Sequence, residues 1–95
     1  MNTRPAGFTA FHWTTETAFF GYSLRDTNGR ARAIITHSTD LKYGFGFHGQ
    51  VFTAGMPQCG PYPCAEAVAD WIVEFLTGRD MVPKDSEFAP LPEVA

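Results

Sequence analysis

The sequence lacks the features that mark several large classes of protein. Its 95 residues include two cysteines, and no apolar run approaches the roughly 20 residues that a membrane-spanning helix needs. Residues 1–7 hold one cation and no apolar segment, so they do not predict a secretory signal. We therefore expect a cytoplasmic protein in a reducing compartment, where the two cysteines need not form a disulfide.

Positive charge is also scarce. Seven Lys and Arg are scattered among ten Asp and Glu, giving a formal net charge of -3. Phosphate binding requires clustered cations, so this balance disfavours a general nucleic-acid binder. The three His and two Cys show none of the paired spacings of zinc modules, and we expect neither a metal site nor a cofactor.

Motifs that define catalytic sites are missing as well. The chain has no P-loop and no dinucleotide-binding fingerprint. Residues 37–40, His-Ser-Thr-Asp, include the residue types of a Ser-His-Asp set. Consecutive loop residues do not present a nucleophile and a base to one substrate, and this run is more typical of a turn. We expect that the protein is not an enzyme.

The sequence does contain enough apolar residues to form one hydrophobic core. Hydrophobic residues make up 44% and aromatic residues 15% of the chain, and no change in composition divides residues 1–78. These residues are predicted to form a single domain. Residues 79–95 are predicted to be an irregular, acidic tail, because they contain Pro83, Pro90 and Pro92 and no sustained periodicity.

The clearest local signal is Asn28-Gly29, which lies between two β-prone segments. This dipeptide favours a two-residue hairpin loop with a type I′ turn, because both residues tolerate positive φ. Counting back from the loop predicts three opposed pairs on the core side: Leu24 with Ala33, Tyr22 with Ile35, and Phe20 with His37. The same register places Arg25 opposite Arg32, and Ser23 opposite Ile34, on the other face.

Hydrophobic periodicity predicts four strands, at about residues 8–13, 17–26, 30–37 and 42–53, and a helix at about 64–77. Large apolar side chains recur at helical spacing in the last segment: Val68, Trp71, Ile72, Phe75 and Leu76. Residues 54–63 are predicted to be a loop, because they are rich in Gly and Pro. The predicted fold class is α+β, a three- to four-stranded antiparallel sheet followed by one amphipathic C-terminal helix packed on one face.

Two short segments resemble functional motifs of known families. Residues 59–64, Cys-Gly-Pro-Tyr-Pro-Cys, resemble a lengthened form of the Cys-Gly-Pro-Cys redox motif of thioredoxins, with four residues between the cysteines instead of two. Residues 44–47, Gly-Phe-Gly-Phe, are similar to the centre of the RNP1 motif of RNA-recognition domains, whose sheet aromatics stack on bases. Two alternatives therefore stay open: a thiol or metal site at Cys59 and Cys64, and a single-stranded nucleic-acid binder.

The predicted hairpin also supplies a candidate binding surface. Opposed arginines repel each other unless a carboxylate lies between them, and Arg is enriched at interface hot spots. We predict that the outer face of the hairpin binds a partner through five residues: Arg25, Asn28, Arg30, Arg32 and Ile34. A secondary acidic surface is predicted on the helix, where three carboxylates recur every four residues: Glu66, Asp70 and Glu74.

These observations predict a small non-enzymatic protein-interaction module, an inhibitor or regulatory adaptor that masks a surface of a larger protein partner. Stand-alone domains of this size are common among phage-encoded and mobile-element antagonists of bacterial defence, including anti-CRISPR proteins, so an anti-defence role is one expectation. We expect neither nucleic acid nor a membrane as the partner. The predicted oligomeric state is a monomer or a homodimer.

Overall fold

A computed structural model describes residues 10–92 of the chain. Its elements, in chain order, are β1 (Ala10–Glu16), a short 3-10 helix (Thr17–Phe19), β2 (Gly21–Arg25), β3 (Ala31–Ser38), β4 (Gly46–Val51), β5 (Gln58–Tyr62), α1 (Ala65–Gly78) and β6 (Glu87–Phe88). The predicted α+β class with one C-terminal helix is confirmed.

The sheet is larger than the sequence predicts. Within residues 10–92 it has six strands in the order β5-β4-β3-β2-β1-β6. Strands β1 to β5 pair antiparallel with their neighbours in sequence, whereas β6 pairs parallel with β1. The sheet is therefore mixed, and the expected three or four antiparallel strands describe only its central part.

Both additional strands lie in segments that the sequence predicts to be irregular. β5 falls within the Gly- and Pro-rich stretch after β4, and it tolerates Pro61 because an edge strand has a ladder on one side only. β6 falls within the predicted tail, where Glu87 and Phe88 pair with Ala10 and Phe11. Neither strand has the apolar alternation that indicates a half-buried strand.

Strand boundaries also differ from the predicted ones near the first turn. β1 continues to Glu16, and its predicted first residues, 8 and 9, lie outside the described part of the chain. Phe20 ends the 3-10 helix with φ 54 and is 78% exposed, so its predicted core pairing with His37 is wrong. The next predicted pairs, Tyr22 with Ile35 and Leu24 with Ala33, are confirmed.

The main core lies between one face of the sheet and α1, which packs on β3, β4 and β5. Leu24, Ala33 and Ile35 are fully buried on the sheet side, and α1 contributes Val68 and Ile72. The predicted helix face is therefore correct. Trp71 and Phe75 are half-buried beside this core, with ring centroids 5.2 Å apart. Among the described residues, no helix has the length and apolar character needed to cross a membrane.

A single helix cannot cover the whole sheet. Strands lie about 4.8 Å apart and a helix is about 10 Å wide, so one helix shields two to three strands. The chain after α1 covers part of the remainder: Val82 is buried, and the Phe88 ring stacks on Phe11 with centroids 4.9 Å apart. The segment predicted as a tail therefore completes the core over β1.

Candidate functional site

The hairpin that carries the predicted binding residues closes differently from the expected two-residue loop. The Asp26 amide donates to the Arg30 carbonyl at 3.1 Å, and the Gly29 amide donates to the Asp26 carbonyl at 2.9 Å. Gly29 has φ 80, whereas Asn28 does not have positive φ. The loop therefore consists of Thr27, Asn28 and Gly29. Only Gly29 has positive φ, whereas a type I′ turn requires positive φ at two residues.

Asp26 holds this turn in place. Its side chain is buried, and Oδ1 accepts hydrogen bonds from the backbone amides of Asn28 at 2.9 Å and Arg30 at 3.1 Å. A carboxylate that accepts two backbone amides fixes the residues that donate them. The positions of Asn28 and Arg30 are thus determined by the turn itself.

The longer loop overturns the predicted pairing of Arg25 with Arg32. A register shift after Leu24 places Arg25 opposite Ala31, and Arg32 becomes the extra residue of a bulge. Arg25 instead lies 3.2 Å from the Glu16 carboxylate and donates to the Gly29 carbonyl at 2.6 Å. Its charge is therefore compensated within the chain, and the repulsion that was expected across the hairpin is absent.

Glu16 and Arg25 belong to a polar network on the sheet face opposite α1. Ser23 and Thr14 have hydroxyl oxygens 2.7 Å apart, and both hydroxyls donate to Glu16 Oε2. Hydrogen bonds from Ser23, Arg25 and Thr14 hold the pKa of the Glu16 carboxyl below its usual value, against a smaller effect of desolvation. Ser23 is 2% exposed, which keeps its hydroxyl out of reach of a substrate.

Three of the five predicted binding residues instead line one cavity beside the turn. This cavity, which we call the hairpin pocket, has a volume of about 390 Å³ and is lined by Asp26, Asn28, Arg30, Ala31, Arg32 and Phe52. Arg30 and Arg32 have no ion-pair partner among residues 10–92. Arg32 also lies over the Phe11 ring, 5.9 Å from its centroid. The pocket thus combines the buried side chain of Asp26, the aromatic ring of Phe52 and two guanidinium groups that form no ion pair among the described residues.

Asp26, Ala31 and Phe52 line the hairpin pocket but were not among the predicted binding residues, and Phe52 is the one that is distant in sequence. It follows β4, its amide donates to the Arg32 carbonyl at 3.0 Å, and its side chain is 39% exposed. The pairing of β3 with β4 brings it to the hairpin, and no local pattern predicts that register. Ile34, by contrast, lies opposite Ser23 and Gln50 on the face with the polar network and does not line the pocket.

The structure around the two cysteines is relevant to the first alternative function, a thiol or metal site. Cys59 and Cys64 are both free thiols in this structure. Burial raises the pKa of the Cys59 thiol, and a hydrogen bond from the Gly49 backbone opposes that shift only in part. A thiol with a raised pKa is a poor nucleophile near neutral pH. No cluster of three or more His, Cys, Asp or Glu within residues 10–92 is arranged to hold a metal ion.

The structure of residues 44–47, Gly-Phe-Gly-Phe, is relevant to the second alternative function, a single-stranded nucleic-acid binder. Phe45 lies in the loop before β4 and is 59% exposed, so the predicted strand at residues 42–53 begins too early. Phe47 is half-buried on β4, and its ring stacks on His37 with centroids 4.4 Å apart. The two rings therefore do not lie side by side on an open sheet, which is the arrangement that base stacking in the RNP1 motif requires.

Exposed apolar residues gather at the opposite end of the sheet from the hairpin pocket. The turn between β1 and β2 and the loop between β3 and β4 both lie there, because these connections are at the same end of an antiparallel sheet. Four large side chains project from them, and we call them the loop-end patch: Phe20 (78% exposed), Leu41 (81%), Tyr43 (52%) and Phe45 (59%). The sequence did not indicate this patch.

No protein-family model matches the chain, and neither the curated proteins nor the solved structures include a match. The chemistry of the described residues is therefore the basis for a functional assignment.

Proposed function

We propose that the protein is a non-enzymatic protein-interaction module, an inhibitor or adaptor that masks a surface of a larger protein partner. The hairpin pocket is the observation that carries this proposal. It holds Arg30 and Arg32 without a carboxylate partner among the described residues, next to the partly exposed ring of Phe52.

The chemistry of the pocket defines what a partner would present. A guanidinium group pairs with a carboxylate through two parallel hydrogen bonds, and an aromatic ring contacts the apolar stem or neighbour of that acid. We propose a partner segment in which an Asp or Glu enters between Arg30 and Arg32 while an adjacent apolar side chain contacts Phe52. Because Asp26 fixes the backbone of the turn, little backbone conformational entropy is lost when such a segment binds.

The loop-end patch is the second candidate for the contact surface. We propose that its four side chains act as one apolar surface. Such surfaces are characteristic of interaction sites, and Tyr is enriched at interface hot spots. This patch would suit an apolar partner surface rather than an acidic segment. The two candidate surfaces lie at opposite ends of the sheet, so their contributions to binding can be separated by mutation.

Affinity capture from the source organism with four variants tests the proposal and selects the surface. We expect Arg30→Ala to weaken binding of the captured partner by about 1 to 3 kcal/mol, because a hot-spot arginine loses its paired carboxylate. Arg30→Glu should weaken it further through repulsion. Quantitative mass spectrometry identifies the partner, and isothermal titration calorimetry then gives the affinity of each variant.

Two matched variants complete the design. Arg79→Ala removes an exposed arginine that lies over the Phe75 ring and does not line the hairpin pocket, and it should leave binding unchanged. Phe45→Ser removes an exposed ring of the loop-end patch. If Phe45→Ser abolishes binding while both Arg30 variants bind normally, the loop-end patch is the interface. If no variant changes capture of any protein, neither surface is the interface, and if the protein captures no partner at all, the proposed function is wrong.

A further inference from the structure

A groove runs along α1 on the side that faces β1. It has a volume of about 490 Å³, and its apolar wall includes Trp13, Phe88 and Leu91. The opposite rim is formed by three exposed carboxylates of α1: Glu66, Asp70 and Glu74. We call this feature the acidic groove.

The groove lies between α1 and the chain that follows it. α1 packs on β3, β4 and β5, and the chain around Phe88 covers the far edge next to β1. Trp13, which lines the groove, is only 6% exposed, so the groove is a depression between the two coverings and not an open part of the sheet. A helix that lies on the surface along this depression would contact α1 on one side and the chain around Phe88 on the other.

The charge on the rim specifies which kind of helix would fit. Glu66, Asp70 and Glu74 stand one helical turn apart, so successive carboxylates are separated by about 6 Å along the axis of α1. None of the three has an ion pair with a Lys or Arg among residues 10–92. A second helix with Lys or Arg at every fourth position repeats the same spacing, and its apolar stripe would face the half-buried side chains of Phe88 and Leu91.

We propose that the acidic groove binds a cationic amphipathic helix of a partner protein. The hydrophobic side chains of that helix enter the groove and its Lys or Arg side chains pair with the rim of α1. This site has the opposite charge preference to the hairpin pocket and lies on the helix side of the sheet. It therefore stands or falls independently of the acid-binding function proposed for the hairpin.

The test uses the full chain and a fluorescein-labelled amphipathic peptide with Leu along one face and Lys at every fourth position. A twin peptide carries Glu at the Lys positions. Fluorescence anisotropy should show saturable binding of the Lys peptide that weakens as salt is raised, and much weaker binding of the Glu twin.

Variants of the protein locate the binding site. Asp70→Lys reverses a charge on the rim, and Ala89→Trp places a large ring at an exposed position that lines the groove. Each should weaken binding of the Lys peptide by about tenfold or more. Glu87→Lys makes the same change in net charge at a residue that does not line the groove, and Arg30→Glu alters the hairpin pocket. Both should keep the affinity within about twofold of wild type.

Circular dichroism of each variant tests whether it folds. If Ala89→Trp does not fold, Asp70→Lys alone decides the outcome. The proposal is overturned if the Glu twin binds as tightly as the Lys peptide, since charge then plays no part. It is equally overturned if Glu87→Lys weakens binding as much as Asp70→Lys, because net charge alone would account for the attraction.

Discussion

At the scale of single residues, Arg25 shows how one β-bulge changes which residues lie opposite each other in a hairpin. The dipeptide Asn28-Gly29 predicts a two-residue loop, which would set Arg25 opposite Arg32. The three-residue loop and the bulge at Arg32 instead leave Arg25 to pair with Glu16. Turn residues indicate that a hairpin forms, but they do not determine its loop length. The loop length sets the strand register, and the register decides which face of the sheet each side chain near the turn lies on.

The same network makes stability depend on pH through Glu16. Its carboxyl accepts hydrogen bonds from Ser23, Arg25 and Thr14, which hold its pKa below the ordinary glutamate value of about 4.3. Such a group stabilises the fold fully above its unfolded-state pKa and loses that contribution as the pH falls through its folded-state pKa. We expect Glu16→Gln to lower the melting temperature most near neutral pH and progressively less below about pH 4.

Thermal unfolding of wild type and Glu16→Gln between acidic and neutral pH measures this difference. Glu66→Gln removes the same charge from the exposed side of α1 and controls for the change in net charge. A gap in melting temperature that is as large in acid as at neutral pH would mean that the ionised carboxylate contributes no stability.

At the scale of secondary-structure elements, Gly49 allows the closest approach of β4 to α1. A Cβ atom added there would lie 2.5 Å from Val68 Cγ1 and 3.1 Å from Cys59 Sγ. Both distances are shorter than normal packing permits. Glycine is therefore required at this position because α1 packs so close to β4, and not because of the backbone conformation of the strand.

We expect Gly49→Ala to destabilise the fold by about 1 to 3 kcal/mol, as overpacking of a close-packed core does. Urea unfolding measures the change. In the double variant with Val68→Ala, the loss should be smaller than the sum of the two single losses, because the second change removes the clashing methyl groups.

Gly78→Ala is the matched control for this prediction. A Cβ atom at Gly78 would meet nothing within 4 Å, and alanine is the better helix former, so stability should not fall. Strict additivity in the double variant, or an unchanged midpoint for Gly49→Ala, would show that β4 and α1 are not in the contact described above.

The elements also show which signals in the sequence are informative. Helical periodicity correctly predicts the buried face of α1, because Val68, Ile72 and Leu76 repeat at the spacing of one helix face. β5 was not predictable in the same way. It is exposed along much of its length and contains Pro61, and an edge strand needs neither alternation nor a complete set of amide donors.

At the scale of the whole molecule, contacts cross the predicted boundary between domain and tail. Val82 is buried and Phe88 stacks on Phe11, although both follow residue 78. The pairing of β6 with β1 has no local signature, since its partners stand near opposite ends of the chain and no turn joins them. The hairpin pocket was only partly predictable for the same reason, because Phe52 reaches Arg32 through strand pairing.

Truncation tests how far residues 79–95 belong to the folded unit. A chain that ends at Gly78 would expose Phe11 and Trp13, which are 3% and 6% exposed in the full chain. We expect it to be less stable by on the order of 3 kcal/mol or more, because several large apolar groups lose their cover. Urea unfolding and binding of the dye ANS measure the loss and the newly exposed apolar surface.

A chain that ends at Pro92 keeps all the contacts described for residues 10–92 and serves as the control. Its unfolding midpoint should match that of the full chain. If the chain ending at Gly78 also unfolds at the same urea concentration, residues 1–78 form a self-sufficient domain as the sequence predicts.

The position of β6 has a consequence for biosynthesis. β1 to β4 each pair with the next strand in sequence, so these pairs can form while later parts of the chain are still on the ribosome. β6 pairs with the first two residues of the outer edge of β1, Ala10 and Phe11, and can do so only after Glu87 and Phe88 have left the ribosome. Until then the nascent protein presents the whole outer edge of β1 with Phe11 and Trp13 beside it, which makes it vulnerable to pairing with other chains.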